Sequence, residues 1–254
     1  NAAFQSLKLG EPMVIVVSYD VSDEHGATVP QTATVTITGT NDAPTVAAAL
    51  SATAAEDDAG FTINLLTGAA DVDHDAVLSV SNVSGLVAGV TVSGSTLSVD
   101  PGNAAFQSLK LGEPMVIVVS YDVSDEHGAT VPQTATITIT GTNDAPVITT
   151  NGGAPLALSV AENTTAVADI DASDVDSTSL SYSIAGGADA LKFTINPTTG
   201  VLAFVNAPNY ETPADAGANN VYDVTVQVSD GVDVDTQALA VQVSDVFEGV
   251  AAID

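Results

Sequence analysis

Residues 1–44 recur as residues 103–146, and the two copies differ only where Val35 is replaced by Ile137. The offset of 102 residues (103 minus 1) is the length of one small β-sandwich domain, which marks the chain as a piece of a tandem array. A period of that length in 254 residues predicts two complete domains and part of a third. The partial one is residues 1–44, which match only the second half of the unit. Residues 45–146 form a complete repeat, and residues 147–254 a further sandwich with no obvious identity to it. Both copies close on Gly-Thr-Asn-Asp-Ala-Pro (Gly39–Pro44 and Gly141–Pro146), a turn-forming, oxygen-rich segment placed where one domain hands over to the next.

The hydrophobic periodicity is that of strands. Thr32–Thr38 and Thr134–Thr140 alternate polar and apolar residues, as do Val221–Ser229 and Ala238–Val243. Gly, Asn, Asp and Ser clusters punctuate these runs, and β-branched residues dominate them. No amphipathic helix longer than about three turns is visible. The expected class is all-β.

Three Lys and no Arg stand against 32 Asp plus Glu, a formal net charge of −29. Such a polyanion is repelled by nucleic acid and by anionic membranes. With 45% hydrophobic residues it is not a disordered chain. A folded domain carrying this charge needs cations to offset self-repulsion. There is no cysteine, so an extracellular domain of this size needs another staple than a disulfide. No apolar run approaches the roughly 18 residues of a membrane helix.

The acids cluster, and they do so at matching places in two otherwise dissimilar stretches. Each stretch has an early Glu (Glu56; Glu162) and then Asp-Val-Asp (Asp71–Asp73; Asp174–Asp176). Each later has Ser-Asp after a long strand (Ser124–Asp125; Ser229–Asp230) and an acidic exit (Asn143–Asp144; Asp245 with Glu248). Calcium takes oxygens from carboxylates, Asn amides and backbone carbonyls in flexible geometry. An Asp-x-Asp loop and an Asn-Asp linker supply such oxygens only when brought together. Thiolate is absent and imidazole nearly so, which argues against zinc or copper, and the number of converging carboxylates favours calcium over magnesium. Asp57, Asp58, Asp189, Asp215 and Asp233 are read as solvated turn residues.

Asp100–Leu109, Ser124–Gly128 and the Gly-Thr-Asn-Asp-Ala-Pro exit together resemble the VCBS repeat of large bacterial surface adhesins. Residues 147–254 resemble bacterial cadherin-like modules, through Ala161–Asn163, Asp174–Asp176, Leu180–Ile184, Asn209–Glu211, Val228–Gly231 and the Val-Ser-Asp-Val-Phe-Glu exit. The resemblance implies immunoglobulin-like, cadherin-like Greek-key sandwiches stacked end to end with calcium at the linkers. Carried over position by position, the first joint would use Asn41 and Asp42 with Asp71, Asp73 and Asp125. The second would use Glu56, Asn143 and Asp144 with Asp174, Asp176 and Asp230. A third would use Glu162, Glu211 and Asp245. Asp23 would belong to a joint before the first, and Gln107 occupies roughly the place of Glu211. The linker departs from the fuller cadherin form in lacking an acid at its start and in having Ala where a further Asn would bind.

Other chemistry has little support. His25 and His127 are one repeat position beside Gly, and His74 lies between Asp73 and Asp75; all three read as turn residues. No nucleophile elbow, phosphate loop or His-rich metal motif is present. Paired carboxylates suit a glycosidase, but such clefts are lined with aromatics and this chain has no Trp. An enzyme is not expected. Tyr182, Tyr210, Tyr222, Phe193 and Phe204 lie in strand-like runs and read as core rather than as a binding platform.

The resemblance implies an extender segment of a bacterial adhesin of the RTX type, at the cell surface of a Gram-negative bacterium after type I secretion, projecting a distal binding domain for adhesion or biofilm formation. Its implied partners are calcium, neighbouring repeats of the same chain and, through other domains, a cell-surface or biofilm ligand. Neither nucleic acid nor membrane insertion is expected, and the chain is expected to be monomeric. The alternative is a recognition module for a glycan, a peptide or a second cadherin-like chain, located in residues 147–254.

Overall fold

Alternation of Thr with Ala and Ile does what period-2 patterns do: one face of the strand is buried and the other is wet. In the computed structural model, which describes residues 2–249, Ala135, Ile137 and Ile139 are fully buried while the threonines between them are partly exposed. Asn1 and residues 250–254, the ends of the first and third stretches, lie outside the described residues. The chain divides into two compact units. One holds the residues up to Phe106 together with Pro114–Thr140; the other holds Gln107–Glu113 together with Gly141 onward.

The first unit begins with a helical turn (Ala2–Gln5) and a hairpin of β1 (Pro12–Ser22) and β2 (Thr28–Thr38). There follow β3 (Thr45–Val46), β4 (Leu50–Ala55), β5 (Phe61–Asn64), β6 (Ala69–Ala70), β7 (Ser79–Ser84), β8 (Val90–Ser93), β9 (Thr96–Val99), β10 (Pro114–Ser124) and β11 (Thr130–Thr140). One sheet has the order β4-β11-β10-β7 and the other β5-β9-β8, with β3 and β6 paired separately. The first strand of the large sheet runs parallel to the last, Leu50–Ala55 beside Ala135–Thr140. Both sheets feed the core, through Val90, Leu97 and Val99 from one and Ile117, Val119, Val123 and Ile137 from the other. The Tyr121 hydroxyl crosses the core to donate to the Leu65 carbonyl at 2.9 Å.

The two copies of the repeated segment have the same hairpin register but different surroundings. Met13 faces Ile37 and Met115 faces Ile139, and each hairpin turns at Ser22/Thr28 or Ser124/Thr130. The turn is set locally. Asp23 Oδ1 accepts from the His25 and Ala27 amides at 2.9 and 2.8 Å, and Asp125 Oδ1 repeats this with His127 and Ala129. Gly26 and Gly128 supply the positive φ of +86° and +89° that closes it. Burial is not local. β10 and β11 lie inside a sandwich, whereas among the described residues β1 and β2 pair only with each other, and Val35 is 49% exposed.

That contrast gives a matched test. Ile137→Ala is expected to destabilise the first unit by about 2–5 kcal/mol, because a large buried side chain leaves a cavity. Val35→Ala, at the same repeat position, should change stability by less than about 0.5 kcal/mol. Urea denaturation of the two variants checks this; similar losses would mean the first hairpin is packed as the second is.

The second unit contains β12 (Val147–Ile148), β13 (Leu156–Ala161), β14 (Ala166–Asp169), β15 (Ala172–Ser173), β16 (Ser181–Gly186), β17 (Phe193–Ile195), β18 (Val201–Phe204), β19 (Val221–Ser229) and β20 (Val234–Ser244). Its sheets, β13-β20-β19-β16 and β14-β18-β17, repeat the strand order of the first unit, including the parallel first and last strands. Val160, Ile170, Leu202, Val226, Val228, Val241 and Val243 form the core. Phe193 stacks on Phe204 with centroids 4.6 Å apart, and Tyr222 meets Phe204 edge-on at 5.1 Å. Three of the six aromatics of this stretch are thus core, as their strand positions imply, whereas Phe247 in the exit segment is 87% exposed. Tyr182 is half-buried, and Tyr210 is 38% exposed.

Candidate metal centres

Each linker starts from the same clamp. Gly39 donates to the Glu11 carbonyl at 2.8 Å and accepts from the Gly10 amide at 3.0 Å; Gly141 does so with Glu113 and Gly112, both at 2.9 Å. A Cβ on either glycine would fall 2.2 Å from a backbone carbonyl oxygen, of Lys8 or Lys110, so only glycine fits. The Asn-Asp pairs leave from these fixed points.

In the first unit, Asn41 Nδ2 donates to Asp125 Oδ2 at 2.8 Å, and the Asp42 amide donates to Asp73 Oδ2 at 3.0 Å. The Asp73 amide in turn donates to Asp71 Oδ1 at 2.9 Å, the local geometry of an Asx turn. Asn41, Asp42, Asp71, Asp73 and Asp125 therefore form one linked group around the linker. Asp73 and Asp125 are buried. Burial alone would raise the Asp125 carboxyl, but hydrogen bonds from Asn41, Ala129 and His127 outweigh it and hold the group below the usual range. Beside the group, the His74 amide donates to the Ser6 carbonyl at 3.2 Å, and His74 Nδ1 lies 2.6 Å from the same oxygen. Lys8 Nζ reaches Asp75 at 3.4 Å.

The second unit repeats this arrangement on a different sequence. Asn143 Nδ2 donates to Asp230 Oδ2 at 2.8 Å, as Asn41 does to Asp125. The Asp176 amide donates to Asp174 Oδ1 at 3.1 Å, as Asp73 does to Asp71. Asp144 lies against Asp176 through a backbone hydrogen bond. Burial, and then the neighbouring Asp174 carboxylate, push the Asp176 carboxyl up to about 6. Asp230 is held down by the Val232 amide and by Asn143.

A third group lies elsewhere in the second unit, where carboxylate oxygens of Glu162, Glu211 and Asp245 fall within 4.8 Å of one another. Glu162 is buried; its oxygens accept from the Tyr210 amide at 2.8 Å and the Val246 amide at 2.9 Å, which depress its carboxyl. Its own amide donates to the Ser244 carbonyl at 3.0 Å. Glu56 stands at the equivalent place in the first unit, buried, with its amide on the Thr140 carbonyl at 3.0 Å.

Two of these groups contain buried carboxylate oxygens with no hydrogen-bond partner among the described residues, and the atoms correspond: Asp71 Oδ2 and Asp73 Oδ1 in one, Asp174 Oδ2 and Asp176 Oδ1 in the other. Burying an ionised oxygen without a partner costs several kcal/mol, so each pair is built for a cation or a proton. The donors are all hard oxygens, the set that calcium takes.

Several acids differ from their expected roles. Asp189 and Asp215 are buried rather than solvated: Asp189 accepts from the amides of Ala216 and Asp223, and Asp215 from Asn219 and Asn220. Asp58 is an exposed turn residue, as expected, and accepts from the Ala55 amide at 2.8 Å. Asp233, also read as a bystander, takes a hydrogen bond from Asn143 Nδ2 at 2.9 Å. The matching loop of the repeat ends in Gly128 and Ala129, with no acid directly before its closing strand, so no recurrence marked it. Glu248 accepts from Asn163 Nδ2 at 2.7 Å.

Residues 40–140 match the family model described as a cadherin-like domain. Among solved structures, the chain is similar to mouse clustered protocadherin PcdhgC3 EC1-3, at 17% identity and a TM-score of 0.45, covering 94% of this chain and 78% of that one. For mouse cadherin-23 EC22-24 the values are 17%, 0.45, 92% and 74%. For Drosophila N-cadherin EC1-4 they are 19%, 0.37, 96% and 61%. Comparison with curated protein sequences finds no match.

Proposed function

We propose that this chain is a calcium-stiffened extender segment of a secreted bacterial surface adhesin, of the VCBS-repeat, RTX-exported kind, working as a monomer. The observation that carries this reading is the pair of corresponding unpartnered carboxylate oxygens, at Asp71 and Asp73 and again at Asp174 and Asp176. The same local device on two unlike sequences points to a shared ligand rather than to packing. Bound calcium supplies a divalent charge that six to eight oxygens can share.

The residues of the chain do the rest. Asn41 and Asp42 belong to a linker, while Asp71, Asp73 and Asp125 belong to the sandwich after it, so joining them holds the linker on that sandwich. Asn143 and Asp144 stand in the same relation to Asp174, Asp176 and Asp230. Glu162, Glu211 and Asp245 offer a third set, and Glu56 is read as the counterpart of Glu162. Without a cation the carboxylates repel and the linkers loosen. Millimolar calcium outside a cell matches the roughly 10⁻⁴–10⁻³ M affinities of extracellular modules. The stacked Phe193, Phe204 and Tyr222 favour a spacer over a recognition platform, because their rings fill the core.

Asp71→Asn with Asp73→Asn should remove the calcium bound at the linker 39–44 and leave that at 141–146 intact. Calorimetric titration would then show fewer sites, with the remaining ones unchanged in affinity. Equal weakening of all sites would defeat the ligand assignment.

A further inference from the structure

We propose, on the basis of the calcium reading above, that Asp233 is an added cation ligand of the group around linker 141–146. Its charge strengthens that site beyond what the recurring residues give it. Asp233 and Ala129 hold the same place, for each ends the turn before the closing strand, β20 or β11. Each also donates its amide to the aspartate that opens the turn, Asp233 to Asp230 Oδ1 at 2.7 Å and Ala129 to Asp125 Oδ1 at 2.9 Å. The backbone device is shared, and only the side chain differs.

That difference falls on the linker asparagine. In the first unit Asn41 Nδ2 donates to one carboxylate, Asp125 Oδ2 at 2.8 Å. In the second, Asn143 Nδ2 faces two, Asp230 Oδ2 at 2.8 Å and Asp233 Oδ2 at 2.9 Å, besides the Asp144 carbonyl at 3.0 Å. A side-chain amide carries two N–H groups, so three acceptors leave one without a proton. Two of the three are anionic oxygens held close to one another by the same nitrogen. Like charges so placed repel unless they share a cation. The turn of the first unit has a further acid in Glu126, but its Oε2 is taken up by the Val77 amide at 2.8 Å.

A cluster of acids alone does not make a site. Here Asp176, only 8% exposed, has a buried Oδ1 with no hydrogen-bond partner among the described residues. Asp176 and Asn143 line one cleft of about 210 Å³, so the asparagine that gathers Asp230 and Asp233 borders the same space as that oxygen. Lys110 lines the cleft too, yet it makes no ion pair among the described residues, and its charge does not already neutralise the group. Calcium affinity rises with the number of charged ligands. Asp233 adds one carboxylate to Asp144, Asp174, Asp176 and Asp230, where the first unit has Ala129 and adds none.

The test exchanges the two side chains in the full chain and follows each turn separately, through the amide NMR signals of residues 230–233 and 125–129. Calcium chloride is titrated first, and lanthanum chloride, a diamagnetic trivalent probe, second. Asp233→Ala should weaken calcium at its own turn about tenfold and leave the other turn unchanged. Ala129→Asp should strengthen calcium at residues 125–129 by a similar factor. Asp233→Asn keeps the size and an acceptor for Asn143, so a residue that merely positions that amide would be rescued by it; a ligand would not. Because Coulomb energy scales with the charge of the ion, Asp233→Ala should cost lanthanum about thirtyfold where it costs calcium about tenfold. Unchanged affinity after either exchange, full rescue by Asn, or equal losses for the two ions would overturn the proposal while leaving the calcium reading in place. Turns that respond to neither ion in the unsubstituted chain would overturn both.

Discussion

Stripping divalent cations with EDTA is expected to lower the melting temperature by about 10 °C or more relative to 5 mM calcium. The estimate follows from linkage. A ligand that binds only the native state adds RT ln(1 + [L]/Kd), about 2 kcal/mol per site when free calcium exceeds Kd by roughly 50-fold. For domains of this size about 1 kcal/mol moves the midpoint by roughly 4–8 °C, and more than one site contributes. The effect should be large because the carboxylates at each group repel one another once the cation is gone, on a chain of formal charge −29. Calorimetric melts that superimpose with and without EDTA would sink the calcium reading.

Acid should act on the group around linker 141–146 with a definite sign. The Asp176 carboxyl sits at about 6 in the folded chain, above its ordinary value of 3.8. It is mostly ionised at pH 7 and mostly protonated at pH 5, and only the ionised form serves a cation. Apparent calcium affinity at this group is therefore expected to fall about tenfold between those pH values. In metal-free protein the same shift works in reverse. Its contribution to stability is fully present below pH 3.8 and is lost as pH rises through about 6. Asp125, Glu162 and Asp230, whose carboxyls are depressed, oppose it by losing stability as pH falls. The clean measurement is the difference between calcium and EDTA melts at pH 7 and pH 5, in native protein and in Asp176→Asn. A difference that does not shrink at pH 5, or that shrinks equally in the variant, would exclude Asp176 from the ligand set.

The strands were legible because alternation reports a local property. Thr134–Thr140 reads as a half-buried strand and is one. Thr32–Thr38 carries nearly the same letters and is exposed on both faces, since burial depends on what the rest of the chain places over it. The site was legible for a different reason. Asp71, Asp73, Asp174 and Asp176 repeat in spacing across two unlike sequences, and chance does not repeat spacing. Asp189 and Asp215 escaped notice because each occurs once and serves amides in its own neighbourhood of loops. Asp233 escaped because the matching loop of the repeat ends in Gly128 and Ala129 rather than in an acid. Recurrence finds shared devices and is blind to single ones.

The parallel pairing of first and last strands has a mechanical consequence. In the first unit the chain enters the pair at Leu50 and leaves it at Thr140, and in the second it enters at Leu156 and leaves at Ser244. These are opposite ends of each pair, so a pull along the polypeptide slides one strand along the other. All the cross-strand hydrogen bonds of the pair are then strained together, and none can open before its neighbours as in a zip. A tether made of such units holds its load in shear at every link, and tension must break a whole ladder before any length is released.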